Sequence, residues 1–370
     1  MSNFNNFSLF KKYAPETYNF FKKGIIYQNH FSNAEWTVPS SATIMTGKNT
    51  SNHGIFHPQA NHDISKKNKL LAEYFRENDY LTFMCNSGWR TSPGYGYLKG
   101  FDRTIYKKEA DANDLINKSL DHLNSFKSYN NFMFLGLNDL HHDLNLVPPL
   151  DLQVNLDPSF LYKERITENT KSVYQTYNEN KIEILKNNTR SLDKKLSIFY
   201  NFLEKNYKKN FLISIFTDHG HSFFDNNKYI LSHSRISIPF MIRGNNSLTA
   251  KKYNNKIISS NVDILPTLLG ASGIKTKNLK LDGLNLLQKN LKKLNNRKVL
   301  IESIYPNKKY EAKLISNQGA DYIFNIDNIT DNNGKITIKN KIDKINSNDK
   351  EILKKIKIWN KYYQLNKNSF

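Results

Sequence analysis

The chain has 370 residues, a formal net charge of +21 and a single cysteine, Cys85. One cysteine excludes an internal disulfide and a metal site of clustered thiolates, and no apolar run approaches the roughly 20 residues of a membrane-spanning helix. The length suits one large domain with a small appendage, and since lysine is spread along the chain beside abundant asparagine, we expect no nucleic-acid binding.

The first segment with a chemical signature is WTVPSSATIMTGKNTSNHG, residues 36–54. The Val-Pro pair that follows Thr37 predicts that Thr37 ends an extended segment. A helix is then expected to begin near Ser40, whose hydroxyl suits the N-cap, and to end at Gly47. This arrangement puts the Thr37 oxygen at a helix N-terminus, where free N–H groups and the dipole favour an oxyanion. The alternative is an ordinary helix cap.

The middle of the chain alternates between helical patterns and short apolar runs. Helices are predicted at 70–78, 110–126 and 172–205, and strands at 80–86, 131–137, 210–217 and 238–244. Runs of this kind, ending at polar or glycine residues, are typical of strands covered on both faces. The sequence therefore predicts a layered α/β fold with a mostly parallel central sheet.

Two polar clusters directly follow predicted strands: NDLHHD at 138–143 and TDHGHSFFD at 217–225. Because ligands of open α/β sheets bind beyond the carboxyl ends of the strands, both clusters are expected at one edge. Carboxylates and imidazoles together suit zinc and harder divalent cations. Asp139, His141, His142, Asp218 and His219 are the candidates at this edge, and His233 follows shortly after them. A single cluster of this kind could consist of helix caps and solvated loop residues, but two at strand ends favour a metal site.

The pattern of predicted secondary structure changes after about residue 290. Short strands at 298–303, 313–317 and 322–327 indicate an antiparallel hairpin sheet, and Glu351 to Tyr363 indicates a closing helix. We therefore predict a catalytic domain over residues 1–290 and a small C-terminal α+β subdomain over residues 291–370.

Six segments, in order, resemble the sulfatase and alkaline-phosphatase superfamily. TVPSSATIMTG followed by HG is similar to the nucleophile segment of that superfamily, and TDHG is similar to its later metal-binding strand end. The remaining similarities are NSGWR and YGYLKGFDR at 86–103, ISIPFMIRG at 236–244, and VDILPTLLGASGI with LDG at 262–283. The resemblance covers about residues 17–325 and implies the layered fold of that superfamily.

The resemblance also implies roles for single residues. Thr37 matches the nucleophile, which in true sulfatases is a cysteine oxidised to formylglycine. Asp218 and His219 match metal ligands. His233 falls near a third ligand of the phosphatase-like members, and near a substrate-binding lysine of sulfatases, for which Lys228 is the other candidate.

Asp139, with His141 or His142, resembles the segment that supplies a ligand or a leaving-group acid, and His142 is our choice for the acid. Arg90 lies near a basic residue that contacts the substrate anion. The implied cofactor is a divalent metal, Zn²⁺, Mn²⁺ or Ca²⁺, and the implied partner is a small anionic ester. Oligomeric state is left open.

Two departures from the superfamily pattern shape the functional hypothesis. The formylglycine signature needs Cys or Ser at its first position and Arg at its fifth, where this chain has Thr37 and Ser41. Direct attack by the threonine alkoxide is therefore the chemistry these residues allow. Residues 1–36 contain no Asp, although the resemblance implies an apolar strand ending in Asp ahead of the nucleophile. We therefore expect the first strand to be missing.

The hypothesis is a metal-dependent hydrolase or transferase that cleaves a phosphate or sulfate ester through Thr37. The alternative is a catalytically impaired protein of the same fold that acts as a binding module. The sequence as it stands also lacks a secretory signal pattern and a membrane segment, which predicts a cytoplasmic location.

Overall fold

The structure is a computed structural model of the chain. It describes residues 7–55, 64, 68–108, 110–141, 177–208, 210–224, 231–244, 248, 255–276, 278–288, 297–305, 309–316 and 319–327. The helices are α1 (Phe7–Tyr13), α2 (Pro15–Phe21), α3 (Thr37–Thr46), α4 (Thr50–His53), α5 (Leu71–Arg76), α6 (Ala112–Ser125), α7 (Glu179–Asn206), α8 (His233–Ile236) and α9 (Ile264–Ala271). The strands are β1 (Ile25–Tyr27), β2 (Asn29–Phe31), β3 (Leu81–Asn86), β4 (Arg103–Tyr106), β5 (Asn131–Gly136), β6 (Ile213–Phe216), β7 (Phe240–Arg243), β8 (Ile258–Ser260), β9 (Lys298–Tyr305), β10 (Lys309–Ser316) and β11 (Gly319–Asp327).

The described strands form several small sheets. Strand β3 lies between β4 and β5 and is parallel to both, and β2 is parallel to β8. Strand β7 lies between β1 and β6 and is antiparallel to both. The described part of the connection from β6 to β7 holds a short 3-10 turn and the four-residue helix α8 rather than a crossover helix, which accounts for the antiparallel pairing.

The α/β class and the predicted strands of the middle of the chain are confirmed. The apolar runs at 80–86, 131–137, 210–217 and 238–244 contain β3, β5, β6 and β7 respectively, and each strand is one to four residues shorter than its run. The predicted helix at 172–205 corresponds to α7, and its residues before 177 lie outside the described part of the chain.

Helices cover both faces of the β1–β7–β6 sheet. Alternate residues of β7 point to opposite faces, so that Met241 packs with α1, α2, α6 and α7, while Phe240 and Ile242 pack with α3, α5 and α9. The apolar positions of α7 recur at helical spacing and are buried: Ile182, Leu185, Leu192, Leu196, Phe199 and Leu203. No helix in the described ranges is both long and apolar enough to cross a membrane.

The C-terminal strands β9, β10 and β11 form the predicted antiparallel sheet. This sheet packs directly on the loop that precedes α3. The Glu302 N–H donates to the Asn33 carbonyl at 2.9 Å, and the Asn33 amide donates to the Leu300 carbonyl at 2.9 Å. The closing helix predicted over Glu351 to Tyr363 lies outside the described residues.

Candidate active site

Thr37 is the first residue of helix α3. Trp36 is still extended, with φ −110° and ψ 145°, and the Ser40 N–H donates to the Trp36 carbonyl at 3.1 Å. The predicted start near Ser40 is therefore wrong, because the first helical turn tolerates Pro39, whose missing N–H would have no partner there. The predicted end at Gly47 is confirmed, with φ 62°. Thr37 thus lies at the positive end of the helix dipole.

The hydroxyl of Thr37 contacts the imidazole of His219, with 3.1 Å between Thr37 Oγ1 and His219 Nε2. The other ring nitrogen, Nδ1, is 2.8 Å from the Gly220 carbonyl oxygen, which can only accept. In the neutral ring Nδ1 therefore carries the proton, and Nε2 accepts from Thr37. Burial lowers the pKa of His219 against the opposing effect of the Asp218 carboxylate, which favours the neutral ring at pH 7.

Asp218, just after β6, is linked to the first turn of α3 by hydrogen bonds. Its carboxylate accepts from the His219 N–H at 2.8 Å, and its other oxygen lies 3.5 Å from His219 Nε2. The Asp218 side chain is 31% exposed, so the carboxylate reaches solvent beside the Thr37 contact. Ser40, expected to cap α3, instead donates its hydroxyl to the Asp218 carbonyl at 2.6 Å.

Arg90, in the 3-10 turn that follows β3, lies on the side of the Thr37–His219 contact where Trp36 is. Its guanidinium carbon lies 5.7 Å from the centre of the Trp36 ring, next to Thr37 in the chain. The Arg90 charge is one of the smaller causes that lower the pKa of His219, which puts the guanidinium within electrostatic range of the ring. Positive charge beside the Thr37–His219 contact favours an anionic ligand.

Sequence motifs did not single out Arg235 and Glu35, which form a buried pair behind the site. Arg235 Nη2 is 3.8 Å from a Glu35 carboxylate oxygen, and the two side chains are 7% and 0% exposed. The Ser303 hydroxyl of β9 donates to the same carboxylate. The sequence feature that could have indicated this pair is Glu35 itself, the lone carboxylate in the otherwise uncharged run just before Thr37.

The sulfatase family model matches residues 3–274. The chain belongs to the sulfatase family. Among solved structures, the complex of BT4656 with its substrate D-glucosamine-2-N,6-O-disulfate has a TM-score of 0.57 at 17% identity, over 95% of this chain and 93% of that one. A comparison with curated proteins finds no match.

Two further structures extend the likeness beyond sulfatases. The lipoteichoic acid synthase LtaP from Listeria monocytogenes has a TM-score of 0.57 at 14% identity, over 96% of this chain and 86% of that one. A protein of the alkaline phosphatase superfamily from Vibrio parahaemolyticus has a TM-score of 0.58 at 15% identity, over 96% and 82% of the two chains. At such identities the likeness shows the fold alone.

Members of this superfamily generally use divalent metals. Asp218 and His219 offer suitable donors, since a carboxylate and an imidazole whose Nδ1 proton is held by a carbonyl are typical of zinc sites. Within the described ranges, however, no group of three or more His, Cys, Asp or Glu side chains comes together. The five-ligand cluster predicted from the sequence is therefore not formed by those residues: Asp139, His141, Asp218, His219 and His233. A physical reason is that β5 and β6, which lead to the two motifs, belong to different sheets.

Asp139 takes part in other contacts. Its carboxylate lies 3.1 Å from Lys195 Nζ of α7 and accepts from the Ala112 N–H at the start of α6 at 3.3 Å. The Asp139 and Lys195 side chains are 13% and 16% exposed. These contacts describe an ion pair at a helix N-terminus through Oδ1, whereas the buried Oδ2 has no hydrogen-bond partner among the described residues. Asp139 as a ligand therefore stays a prediction.

The structure gives two of the remaining predicted residues other contacts, and two lie outside the described residues. The His141 N–H closes a turn onto the Asn138 carbonyl at 2.9 Å. His233 begins α8, is exposed, and has its ring 6.3 Å from that of Phe31. His142 and Lys228 lie outside the described residues, so their roles remain predictions.

Proposed function

We propose that the chain is a metal-dependent hydrolase or transferase that cleaves a small phosphate or sulfate ester by in-line attack of Thr37. The observation that carries this proposal is the 3.1 Å contact between Thr37 Oγ1 and the acceptor nitrogen of His219 at the N-terminus of α3. A nucleophile in contact with a base, which is itself oriented by a third group, is the arrangement that activates a hydroxyl. Here the third group is the Gly220 carbonyl.

In the proposed reaction Thr37 Oγ1 bonds to the phosphorus or sulfur atom while the bond to the leaving oxygen breaks. The hydroxyl proton passes to His219 Nε2, and the bonding electron pair departs with the leaving oxygen. Arg90 and the N–H groups of the first turn of α3 attract the anionic oxygens. Water or an acceptor alcohol then releases the group from Thr37, and His142 remains the predicted donor of a proton to the leaving oxygen.

A divalent cation, when bound, would neutralise charge on the substrate oxygens. Asp218 and His219 are the described residues that would hold it, and their donor chemistry suits Zn²⁺ or Mn²⁺ better than Ca²⁺, which prefers oxygen ligands alone. The single lone pair of Nε2 serves either the Thr37 hydroxyl or a cation at any one time. Base and ligand are therefore alternative roles of His219, and when Nε2 accepts the Thr37 proton Asp218 is the described residue that would hold the cation.

The test is hydrolysis of p-nitrophenyl phosphate, bis-p-nitrophenyl phosphate and p-nitrophenyl sulfate by the whole chain. The protein is first stripped with a chelator and then given each cation in turn. We expect turnover of at least one ester, a loss on stripping, and a further loss of about 1,000-fold or more in Thr37→Ala. Thr46→Ala, at the other end of α3, is the matched control and should retain activity.

Absence of turnover with every cation, together with metal-free protein as purified, would contradict the proposal. That result would favour the catalytically impaired binding module. Turnover that survives Thr37→Ala would leave an ester hydrolase but exclude this nucleophile.

A further inference from the structure

A series of hydrogen-bonded, buried polar side chains leads from the core to the Asp218–His219 peptide. His30 is 0% exposed, with Nδ1 2.9 Å from Ser259 Oγ and Nε2 3.0 Å from Asn261 Oδ1. Burial lowers the pKa of His30 to about 3, so the ring is neutral and has a single N–H. A fully buried histidine with both ring nitrogens engaged has a defined orientation.

The orientation of the Asn261 amide follows from its neighbours. Asn261 is 0% exposed, and its Nδ2 lies 2.9 Å from the Asp218 carbonyl oxygen and 2.9 Å from Ser40 Oγ. Because a carbonyl only accepts, the amide nitrogen must face Asp218, and Oδ1 must then accept from His30 Nε2. His30 thus holds Asn261, and Asn261 holds the peptide between Asp218 and His219.

That peptide receives hydroxyl donors as well. Ser40 Oγ donates to the Asp218 carbonyl at 2.6 Å, and Ser32 Oγ lies 2.5 Å from the same oxygen. Ser32 Oγ also contacts the Ala34 carbonyl, and a hydroxyl has one proton to donate. The three side chains around the Asp218 carbonyl come from the loop after β2, from α3 and from the turn after β8. Ladder pairing of β6 with β7 ends at Phe216. Beyond it the tip is held by these side-chain contacts and by the Gly220 N–H, which donates to the Arg235 carbonyl at 2.7 Å.

We propose that Asn261 is a positioning residue, which holds the Asp218–His219 peptide against the first turn of α3 and so keeps His219 Nε2 in contact with Thr37 Oγ1. The geometric claim stands on these contacts, and its catalytic consequence rests on the proposed function. A misplacement of about 1 Å in such a contact can cost on the order of 100-fold in rate, which is why a buried amide remote from the substrate matters.

The experiment measures the contact without substrate or metal. In Thr37→Cys the introduced thiol meets His219, and a thiol paired with imidazole is alkylated by iodoacetamide faster than an isolated one. Cys85 is 0% exposed and serves as an internal reporter, because it reacts only if the protein unfolds. Labelling at each cysteine is followed by peptide mass spectrometry, and Thr37→Cys/His219→Ala sets the slow limit.

We expect Asn261→Ala in the Thr37→Cys background to slow labelling of the introduced thiol about tenfold, while Cys85 stays protected. The matched control is Asn131→Ala. Asn131 accepts from His122 Nε2 at 3.1 Å and donates to the Phe126 and Tyr129 carbonyls, a similar bridge at the amino end of β5. Loss of that bridge should cost stability but leave the labelling rate unchanged.

An unchanged rate with Asn261→Ala, beside a slow His219→Ala background, would overturn the positioning role alone. Equal rates with and without His219 would overturn the Thr37–His219 contact, and with it the basis of the proposed function. Should Asn261→Ala expose Cys85, Ser40→Ala takes its place. Removal of one of the donors to the Asp218 carbonyl should then slow labelling about threefold, and no slowing would overturn the proposal.

Discussion

The tips of β5 and β6 carry similar motifs and have different surroundings. Both strands are apolar and both are followed by an aspartate and histidines, NDLHHD after β5 and TDHGH after β6. At the β6 tip the Asp218 side chain is 31% exposed and borders the Thr37–His219 contact. At the β5 tip the Asp139 side chain is 13% exposed and pairs with Lys195.

This difference shows that a motif at a strand end specifies donor chemistry but not its partners. Asp139 meets a lysine from the middle of α7 and the N-terminus of α6, and both contacts go to Oδ1 of its carboxylate. Asp218 has no lysine or arginine within ion-pair distance among the described residues, and its ionic neighbour there is His219. The β6 tip therefore keeps a carboxylate available for chemistry.

The largest expected effect of breaking the β6 tip comes from His219→Ala. Loss of the acceptor for the Thr37 proton should lower kcat/KM for the best ester about 1,000-fold. His221→Ala is the matched control, since His221 lies on the same loop with its ring stacked on Phe223, 4.8 Å between centroids. We expect it to stay within about threefold of the parent. A comparable loss in both variants would point to damage of the loop rather than to a base.

The pH dependence follows from the same histidine. Burial lowers the pKa of His219 below its ordinary value of 6.5, and the neutral ring is the form that accepts a proton. Activity should therefore rise with pH and reach its plateau with an apparent pKa below 6.5. The rising limb should be missing from the residual activity of His219→Ala. A limb centred at or above 6.5 would contradict the assignment.

Paired Asp→Asn substitutions test the two tips directly. Asp218→Asn should lower kcat/KM about 100-fold and leave the urea midpoint nearly unchanged, because the side chain is partly exposed. Asp139→Asn should lower the free energy of unfolding by about 1 kcal/mol, because Lys195 loses its buried partner but keeps the exposed carboxylate of Asp111, and should leave kcat/KM within about threefold. Loss of activity in Asp139→Asn would instead restore Asp139 as the ligand predicted from the sequence.

Local patterns predicted the strands, and the family resemblance was needed as well to predict the proximity of Thr37 to His219. Apolar runs bounded by polar residues mark β3, β5, β6 and β7, and the rule that sites lie beyond strand ends put TDHG at the functional edge. The family resemblance then linked TDHG to the segment of Thr37. These features depend on neighbours in sequence or on a shared fold.

What the sequence did not predict depends on contacts between distant residues. Nothing near Asp139 indicates that Lys195, 56 residues later, would neutralise it. The restriction on the residue before proline predicted that Val38 would not be helical. In the structure Val38 lies in the first turn of α3, which the hydrogen bond from Ser40 to the Asp218 carbonyl holds in place. Asn261 likewise has no motif of its own, and its partners are distant in sequence: His30 and Ser40 are more than 200 residues away and Asp218 is 43 residues away.

Histidines of the core sharpen the contrast with His219, because their protonation should affect stability rather than rate. Burial lowers the pKa of both His30 and His53 to about 3, from 6.5 in an unfolded chain. Between these values the unfolded state binds more protons, so stability is full above pH 6.5 and falls as the pH drops towards 3. At pH 5 each histidine should cost about 2 kcal/mol of unfolding free energy.

Urea unfolding at pH 7.5 and pH 5.0 measures that loss. His53→Gln should show a loss smaller than that of the parent by about 2 kcal/mol, since glutamine does not titrate. His221→Ala, at the β6 tip, serves as the control and should lose as much as the parent. An identical loss in parent and His53→Gln would mean that this histidine is already charged in the folded protein.

The smallest expected effect tests whether the β6 tip binds an anion through Arg90. Arg90→Lys keeps the charge but loses the planar fork and its contact with the Trp36 ring, so KM for the best ester should rise about tenfold while kcat changes less than threefold. Arg76→Lys, on the exposed face of α5, should leave both constants unchanged. If Arg90→Lys lowered kcat and left KM alone, the guanidinium would act in the transition state only, and the anion in the ground state would be bound by other groups.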